Sequence, residues 1–128
     1  MLLKIGKVLG GLMGLLHVYI MILEMFLIKS RGQASFGLTP EDLANNRIIV
    51  LFFNQGAYNG VLAAGIIWSF FLEDKMGWSV RVFFLLSIAA MGIVGGASAN
   101  PRIYFIQTVP ALIALAVEYF GRRQAGAL

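Results

Sequence analysis

IIVLFFNQGAYNGVLAAGIIWSFFL, residues 48–72, is a stretch without a single charged side chain. A helix needs about 20 predominantly apolar residues to cross the hydrocarbon core of a bilayer, so this stretch is long enough to span a membrane. Four hydrogen-bonding side chains nevertheless lie close together in its middle: Asn54, Gln55, Tyr58 and Asn59. The stretch therefore predicts a transmembrane helix with one polar face.

The rest of the chain has the composition of an integral membrane protein. Of its 128 residues, 59% are hydrophobic and 12% are charged, and the mean hydropathy is +0.84. Soluble domains contain about 25% charged residues. Residues 82–101 form a second stretch without charge. We predict one integral membrane domain over residues 1–128. We also predict that it is all-α, because the apolar stretches are continuous rather than alternating.

Breaks between the apolar stretches predict four spans, at about residues 5–28, 48–72, 78–99 and 103–120. The lysines near the N-terminus resemble those of a secretory signal, but the apolar run after them continues to Ile28 and contains His17 and Glu24. The run is too long for a signal and is interpreted as a retained first helix. Asn100 and Pro101 end the third span. Short links then predict an antiparallel four-transmembrane-helix bundle.

The polar connection between the first two spans contains a helix start. Thr39 can cap a helix, and Pro40 suits its first position. Two acids, Glu41 and Asp42, lie at the positive end of the helix dipole. We predict that the second helix begins in the aqueous phase near Thr39 and extends beyond the membrane at its N-terminal end. The connection between the first two spans is long and could also act as a lid over a site.

Lysines and arginines lie near the ends of the predicted spans, where they contact lipid headgroups. The net charge of +4 is therefore attributed to contact with membrane lipid and not with nucleic acid. The side that holds the termini has more of these residues than the other: Lys4, Lys7, Lys75, Arg81, Arg122 and Arg123 against Lys29, Arg31, Arg47 and Arg102. This bias predicts that both termini are cytoplasmic.

Polar side chains inside the spans predict where helices meet. His17 and Glu24 share one face of the first helix but lie about 10 Å apart along its axis, so each needs a partner on another helix. Counting inward from the side opposite the termini gives two levels: Glu24 with Asn54, Gln55 and Gln107, and His17 with Tyr58 and Asn59. These seven residues predict a polar ligand-binding site between the first, second and fourth helices.

The fourth helix carries two further features. Pro110 removes one backbone hydrogen bond and frees the carbonyl of Ile106. Four residues form one stripe along the helix: Gln107, Ala111, Ala114 and Glu118. Near the end of this stripe, Glu118 is expected to form a solvated ion pair with Arg122, four residues later.

Three functions fit such a site. The first is binding or transport of a small polar or amphipathic ligand, with Glu24 and His17 as proton-linked groups and the amides holding the ligand. The second is an intramembrane enzyme acting on a lipid-like substrate, with Glu24 or His17 as general acid or base and Tyr58 as a proton donor. The third is a structural or partner-binding subunit whose polar network only holds the bundle together.

Cofactors and metals are not expected. One histidine, one carboxylate and several amides do not make a high-affinity transition-metal site, and the chain has no cysteine to supply a thiolate. Four helices are few for a transporter, so we also expect a homodimer.

Three motifs resemble a known bacterial membrane-protein family: HVYIMILEMF (residues 17–26), FFNQGAYNGVLAAGIIW (residues 52–68) and IQTVPALIAL (residues 106–115). The family is defined by a domain of unknown function, number thirteen-oh-four. Nearly the whole chain is covered, and the matching positions are His17, Glu24, Phe26, Asn54, Gln55, Tyr58, Asn59, Gly60, Gln107 and Pro110. The resemblance implies a small four-helix protein of the bacterial inner membrane. It implies no activity, substrate or cofactor.

Overall fold

The computed structural model describes the whole chain, Met1–Leu128, and contains helices but no strands. In chain order these are α1 (Leu2–Phe26), α2 (Ile28–Phe36), α3 (Pro40–Ala44), α4 (Asn46–Trp68), α5 (Asp74–Ser98), a π-helical segment (Tyr104–Thr108) and α6 (Val109–Gln124). Four helical stretches are long and apolar enough to cross a membrane: Leu2–Phe26, Asn46–Trp68, Asp74–Ser98 and Tyr104–Gln124. The fourth, Tyr104–Gln124, combines the π-helical segment with α6 and is here called the last span. The predicted all-α, four-span architecture is confirmed, with bounds displaced by a few residues.

The predicted helix start at Thr39 is confirmed. The Thr39 hydroxyl accepts a hydrogen bond from the Asp42 N–H at 3.1 Å, and the Asp42 carboxylate accepts one from the Thr39 N–H at 2.9 Å. The helix ends at Ala44, however. Asn45 is extended, and its side chain accepts a hydrogen bond from the Arg47 N–H at 3.0 Å, which caps a new helix. The single helix that the sequence predicted is therefore two helices, α3 and α4.

The connection between the first two spans contains a helix that the sequence did not predict. Only Leu27 separates α2 from α1. α2 ends at Phe36 and is followed by Gly37, whose φ of 70° is a left-handed conformation that glycine adopts without strain. The rings of Phe36 and Phe52 are 4.9 Å apart between centroids. The first turns of α4 thus lie beside α2, past the end of α1.

Close backbone contacts set how the spans pack. α1 packs mainly against α4 and the last span, and α5 packs against the same two elements. Gly6 lies directly against the backbone of Glu118, and Gly121 lies against the backbone of Leu3. Small residues at such points allow membrane helices to approach closely, where van der Waals packing holds them. All four spans contribute to the buried apolar core: Met13, Ile66, Leu85, Ile88, Ala89, Ala111 and Ala114.

Candidate functional site

A buried carboxylate and a buried amide join α1 to α4. Asn59 donates a hydrogen bond from Nδ2 to Glu24 Oε2 at 2.8 Å, and the same nitrogen lies 3.2 Å from the Gln55 carbonyl oxygen. Both side chains are about 95% shielded from solvent by the chain itself. Gly56 brings the helices together here, since a Cβ at this position would lie 3.1 Å from Glu24 Cβ. The first helix's carboxylate thus meets an amide of the second, as the sequence predicted.

The partner of Glu24 lies one helical turn further along α4 than the sequence predicted. Depth counting placed Glu24 level with Asn54 and Gln55, whereas the structure places it level with Gly56 and Asn59. The count assumed that the two helices start at the same membrane depth. In the structure, the first turns of α4 extend past the end of α1, so the register between the helices shifts.

His17 is completely buried and only half satisfied. Its Nδ1 lies 2.9 Å from the Met13 carbonyl oxygen, which can only accept, so Nδ1 carries the proton of this hydrogen bond. Nε2 is buried without any hydrogen-bond partner. In a neutral ring, Nε2 therefore presents an unused lone pair to the interior of the bundle.

Gln107 lies on the π-helical segment of the last span, away from the part of that span that contacts α1. α1 and the last span are antiparallel, and Leu3 lies against Gly121 while Gly6 lies against Glu118. Gln107 itself is half-buried, and its Cβ lies beside α5, 3.0 Å from where a Cβ at Gly92 would be. α1 therefore packs against α6, whereas the π-helical segment that carries Gln107 packs mainly against α5, and Gln107 makes no hydrogen bond with His17 or Glu24.

The other three predicted site residues do not face α1. Asn54, Gln55 and Tyr58 are exposed on the surface of the chain, and Tyr58 is 68% exposed. At about 100° per residue, Asn54 is rotated by roughly 140° from Asn59 around the helix axis. When Asn59 faces α1, Asn54 therefore faces away from it. Tyr58 is therefore not placed to assist Glu24 as a proton donor.

The backbone of the last span widens just before Pro110. Val109 N–H donates to the Tyr104 carbonyl, five residues earlier, which is the π-helical pattern. Thr108 Oγ1 donates to the Ala89 carbonyl of α5 at 3.2 Å and fixes this segment to its neighbour. Single π-helical turns often occur at functional sites. Here the wide turn carries Gln107, so it sets the direction of that side chain.

A second polar cluster lies at the opposite end of the bundle, near the termini. Arg81 Nη2 lies 2.6 Å from Glu118 Oε1, and Arg122 Nε lies 3.2 Å from the same oxygen. Asp74 accepts hydrogen bonds from Arg122 at 2.7 Å and from Lys7 at 2.7 Å. We call these five side chains the ionic cluster. It connects α1, α5 and α6.

The ionic cluster corrects two expectations. Glu118 and Arg122 do pair, but both are completely buried, so the pair is not solvated. Arg81 and Arg122 are also buried within the bundle and paired with carboxylates, so they are not free to contact lipid, which removes two cations from the count used to orient the chain. The sequence did contain a signal for the burial of Glu118. Glu118 lies on the same stripe of the helix as Ala111 and Ala114, two small residues that are buried in the packed face.

Comparison with known proteins now identifies the family. Residues 11–119 match the family model described as "Protein of unknown function (DUF1304)". The chain belongs to the DUF1304 family. It is 32% identical over 114 residues to "Uncharacterized protein YpaA" of Lactococcus lactis subsp. lactis (strain IL1403), an alignment that covers 88% of this chain and 95% of the relative. No solved structure matched the chain. The family expected from the three sequence motifs is confirmed.

Two surface pockets of this DUF1304 protein lie away from Glu24. One is a groove of about 500 Å³ between α5 and α6, and all of its lining is apolar: Trp78, Val82, Leu112, Leu115, Ala116, Tyr119 and Phe120. The other lies between the N-terminus and the end of α6. Both belong to the end of the bundle that holds the ionic cluster. Neither of these two pockets is lined by Glu24, Asn59 or His17.

Proposed function

We propose that this DUF1304 protein binds a small polar or amphipathic ligand at a buried site between α1 and α4. Glu24, Asn59 and His17 would form the site. One observation carries the proposal: His17 Nε2 is buried inside the bundle and has no partner in the chain.

The comparison with the ionic cluster gives this observation its weight. A polar network that only holds a bundle together should satisfy its members, because an unpaired buried polar group costs about 1–3 kcal/mol. The ionic cluster meets this requirement: Arg81 also donates to the Ser69 carbonyl at 3.1 Å and stacks on the Phe70 ring at 4.8 Å. At His17 the chain leaves an acceptor unused, and a bound molecule would supply the donor.

The chemistry of the site defines the ligand class. Nε2 in the neutral ring and the carboxylate of Glu24 both accept hydrogen bonds, and the Asn59 amide already donates to the carboxylate. A suitable ligand therefore carries hydroxyl or amine groups that donate. An apolar part of the same ligand would contact the surrounding helices. Transport would add exchange of this ligand with one side of the membrane.

The test is to detect a bound molecule and to remove its contacts one at a time. Wild-type protein, Glu24→Gln and His17→Phe would be purified in lipid nanodiscs and examined by native mass spectrometry for co-purified small molecules. Ser87→Ala serves as a control, because Ser87 is half-buried on α5 and its hydroxyl bonds only its own helix. We expect wild type and control to carry an added mass that both site variants lose.

Unfolding measurements on the same samples separate binding from structure. In His17→Phe the unsatisfied nitrogen is gone, so the ligand-free protein should be as stable as ligand-free wild type or more stable. A wild-type protein without an added mass, together with a His17→Phe variant that loses its fold, would show that the network is only structural.

A further inference from the structure

An exposed stripe runs along α4 on the side that faces away from α1. Its members, here called the α4 stripe, follow one another at intervals of four, three, four, three and four residues: Val50, Asn54, Ala57, Val61, Ala64 and Trp68. At about 100° per residue they fall within a sector of roughly 80°. The side of α4 that contacts α1 is centred about 150° away, at Gly56, Asn59 and Ala63. No other part of the chain covers the stripe.

The spacing of the α4 stripe is that of a helix–helix seam. Alternating steps of three and four residues keep one face of a helix against a parallel partner over many turns. The stripe covers about 27 Å, at ~1.5 Å per residue, which is most of a bilayer's hydrocarbon core. Two of its positions are alanines, and small residues at a membrane interface let the helices approach closely.

Asn54 makes the stripe unsuited to lipid. It lies about 12 Å inside the N-terminal end of α4, it is exposed, and its side chain makes no hydrogen bond within the chain. Acyl chains offer no hydrogen-bonding groups, so an amide in this position needs a protein partner. The two flanking aromatic residues, Phe53 and Tyr58, are exposed as well.

The geometry points to a second copy of this chain as the partner, with the two α4 stripes packed around a twofold axis normal to the membrane. Copies inserted by the same route have the same orientation, so their α4 helices run parallel, as the seam requires. At the axis, Asn54 meets Asn54 of the other copy. An amide both donates and accepts, so an identical amide satisfies it. A single asparagine in such a seam also sets the register and the number of helices.

This interface is independent of the proposed ligand site, because it uses the opposite side of α4. The dimer predicted from the small number of spans thereby gains a specific surface and a specific axis. The groove between α5 and α6 remains outside this interface.

Cysteine cross-linking in native membranes tests the interface. The chain has no cysteine, so single-cysteine variants report one position each. Ala57→Cys and Val61→Cys should form disulfide-linked dimers with a copper–phenanthroline oxidant, at twice the 14.0 kDa of the chain. Leu86→Cys, at the exposed middle of α5, should not. Equal cross-linking at all three positions would overturn the proposal, and so would a band at the mass of a different partner.

A dilution experiment tests the role of Asn54. Energy transfer between labelled copies in liposomes would give the dimer dissociation constant as the protein-to-lipid ratio falls. Asn54→Ala should raise this constant roughly three- to thirtyfold, the range expected for hydrogen bonds between membrane helices. Gln55→Ala should leave it unchanged, because Gln55 is exposed but lies outside the stripe. A monomeric wild type, or an equal effect of both substitutions, would overturn the interface.

Discussion

Asn59 on α4 donates a 2.8 Å hydrogen bond to Glu24 on α1, 35 residues earlier in the chain and inside the bundle. The bond lies where Gly56 lets the two helices come closest. A carboxylate placed here needs this amide, because an ionisable side chain within a membrane span is expensive unless it has a partner.

Removing the amide should therefore destabilise the bundle. We expect Asn59→Leu to lower the free energy of unfolding by about 1–3 kcal/mol, since Glu24 then has one donor fewer in a buried position. Reversible unfolding in mixed detergent micelles would measure it. Gln55→Leu is the matched control, because the Gln55 side chain is exposed and only its backbone carbonyl joins the network.

The same pair can be removed as a unit. In Glu24→Leu/Asn59→Leu neither partner is left unpaired. The double variant should therefore lose less free energy of unfolding than the two single variants lose when their losses are added. Additive effects would mean that the Glu24–Asn59 contact contributes nothing to folding.

Truncating Glu118 should have the largest effect on stability. Glu118→Ala leaves Arg81 and Arg122 buried without their shared carboxylate, and breaking a buried ion pair in this way costs about 3–5 kcal/mol. Asp74→Ala should cost clearly less, because the Asp74 side chain is 51% exposed and Arg122 keeps its contact with Glu118. Unfolding curves of the two variants would give the order, and a reversed order would contradict the central position of Glu118.

Arg81 should not be replaceable by lysine. The guanidinium contacts both oxygens of Glu118 and the carbonyl of Ser69, whereas an ammonium is a point charge without this fork of donors. We expect Arg81→Lys to lose about 1–3 kcal/mol of stability despite its unchanged charge. Stability equal to wild type would show that charge alone suffices.

Two glycines in α1 provide a test of the close packing. A Cβ at Gly6 would overlap the Glu118 backbone, whereas one at Gly11 would meet only the edge of the Phe70 ring at 3.8 Å. Gly6→Ala should therefore separate α1 from α6 and lower the melting temperature. Gly11→Ala should be neutral or slightly stabilising, since alanine favours a helix. Similar melting temperatures for the two variants would contradict the contact.

Particular residues show how far the sequence predicts this structure. The charge-free stretches predict four spans, because membrane crossing requires a minimum apolar length. Depth counting brings Glu24 near the amides of α4, but it cannot give the register, which depends on how far each helix extends past its neighbour. It also cannot give the rotation of α4, which places Asn59 inside and Asn54 outside.

The ionic cluster could be predicted only in part. The spacing of Glu118 and Arg122 predicts their pairing, which any four-residue separation on a helix allows. Their burial depends on Arg81 reaching Glu118 across 37 residues of chain, and no local pattern contains that contact. Residues near span ends are ordinarily assigned to the headgroup region, so the pattern favoured the wrong environment for three charges.

The partnership of Arg81 with Glu118 also has a consequence for biosynthesis. Arg81 is on the third span, whereas its carboxylate partner, Glu118, follows 37 residues later on the fourth. Until the fourth span has inserted, the Arg81 guanidinium lacks this partner, and an unpaired charge within a membrane span is expensive. A nascent chain that stops short of Glu118 would therefore leave this cation unmatched.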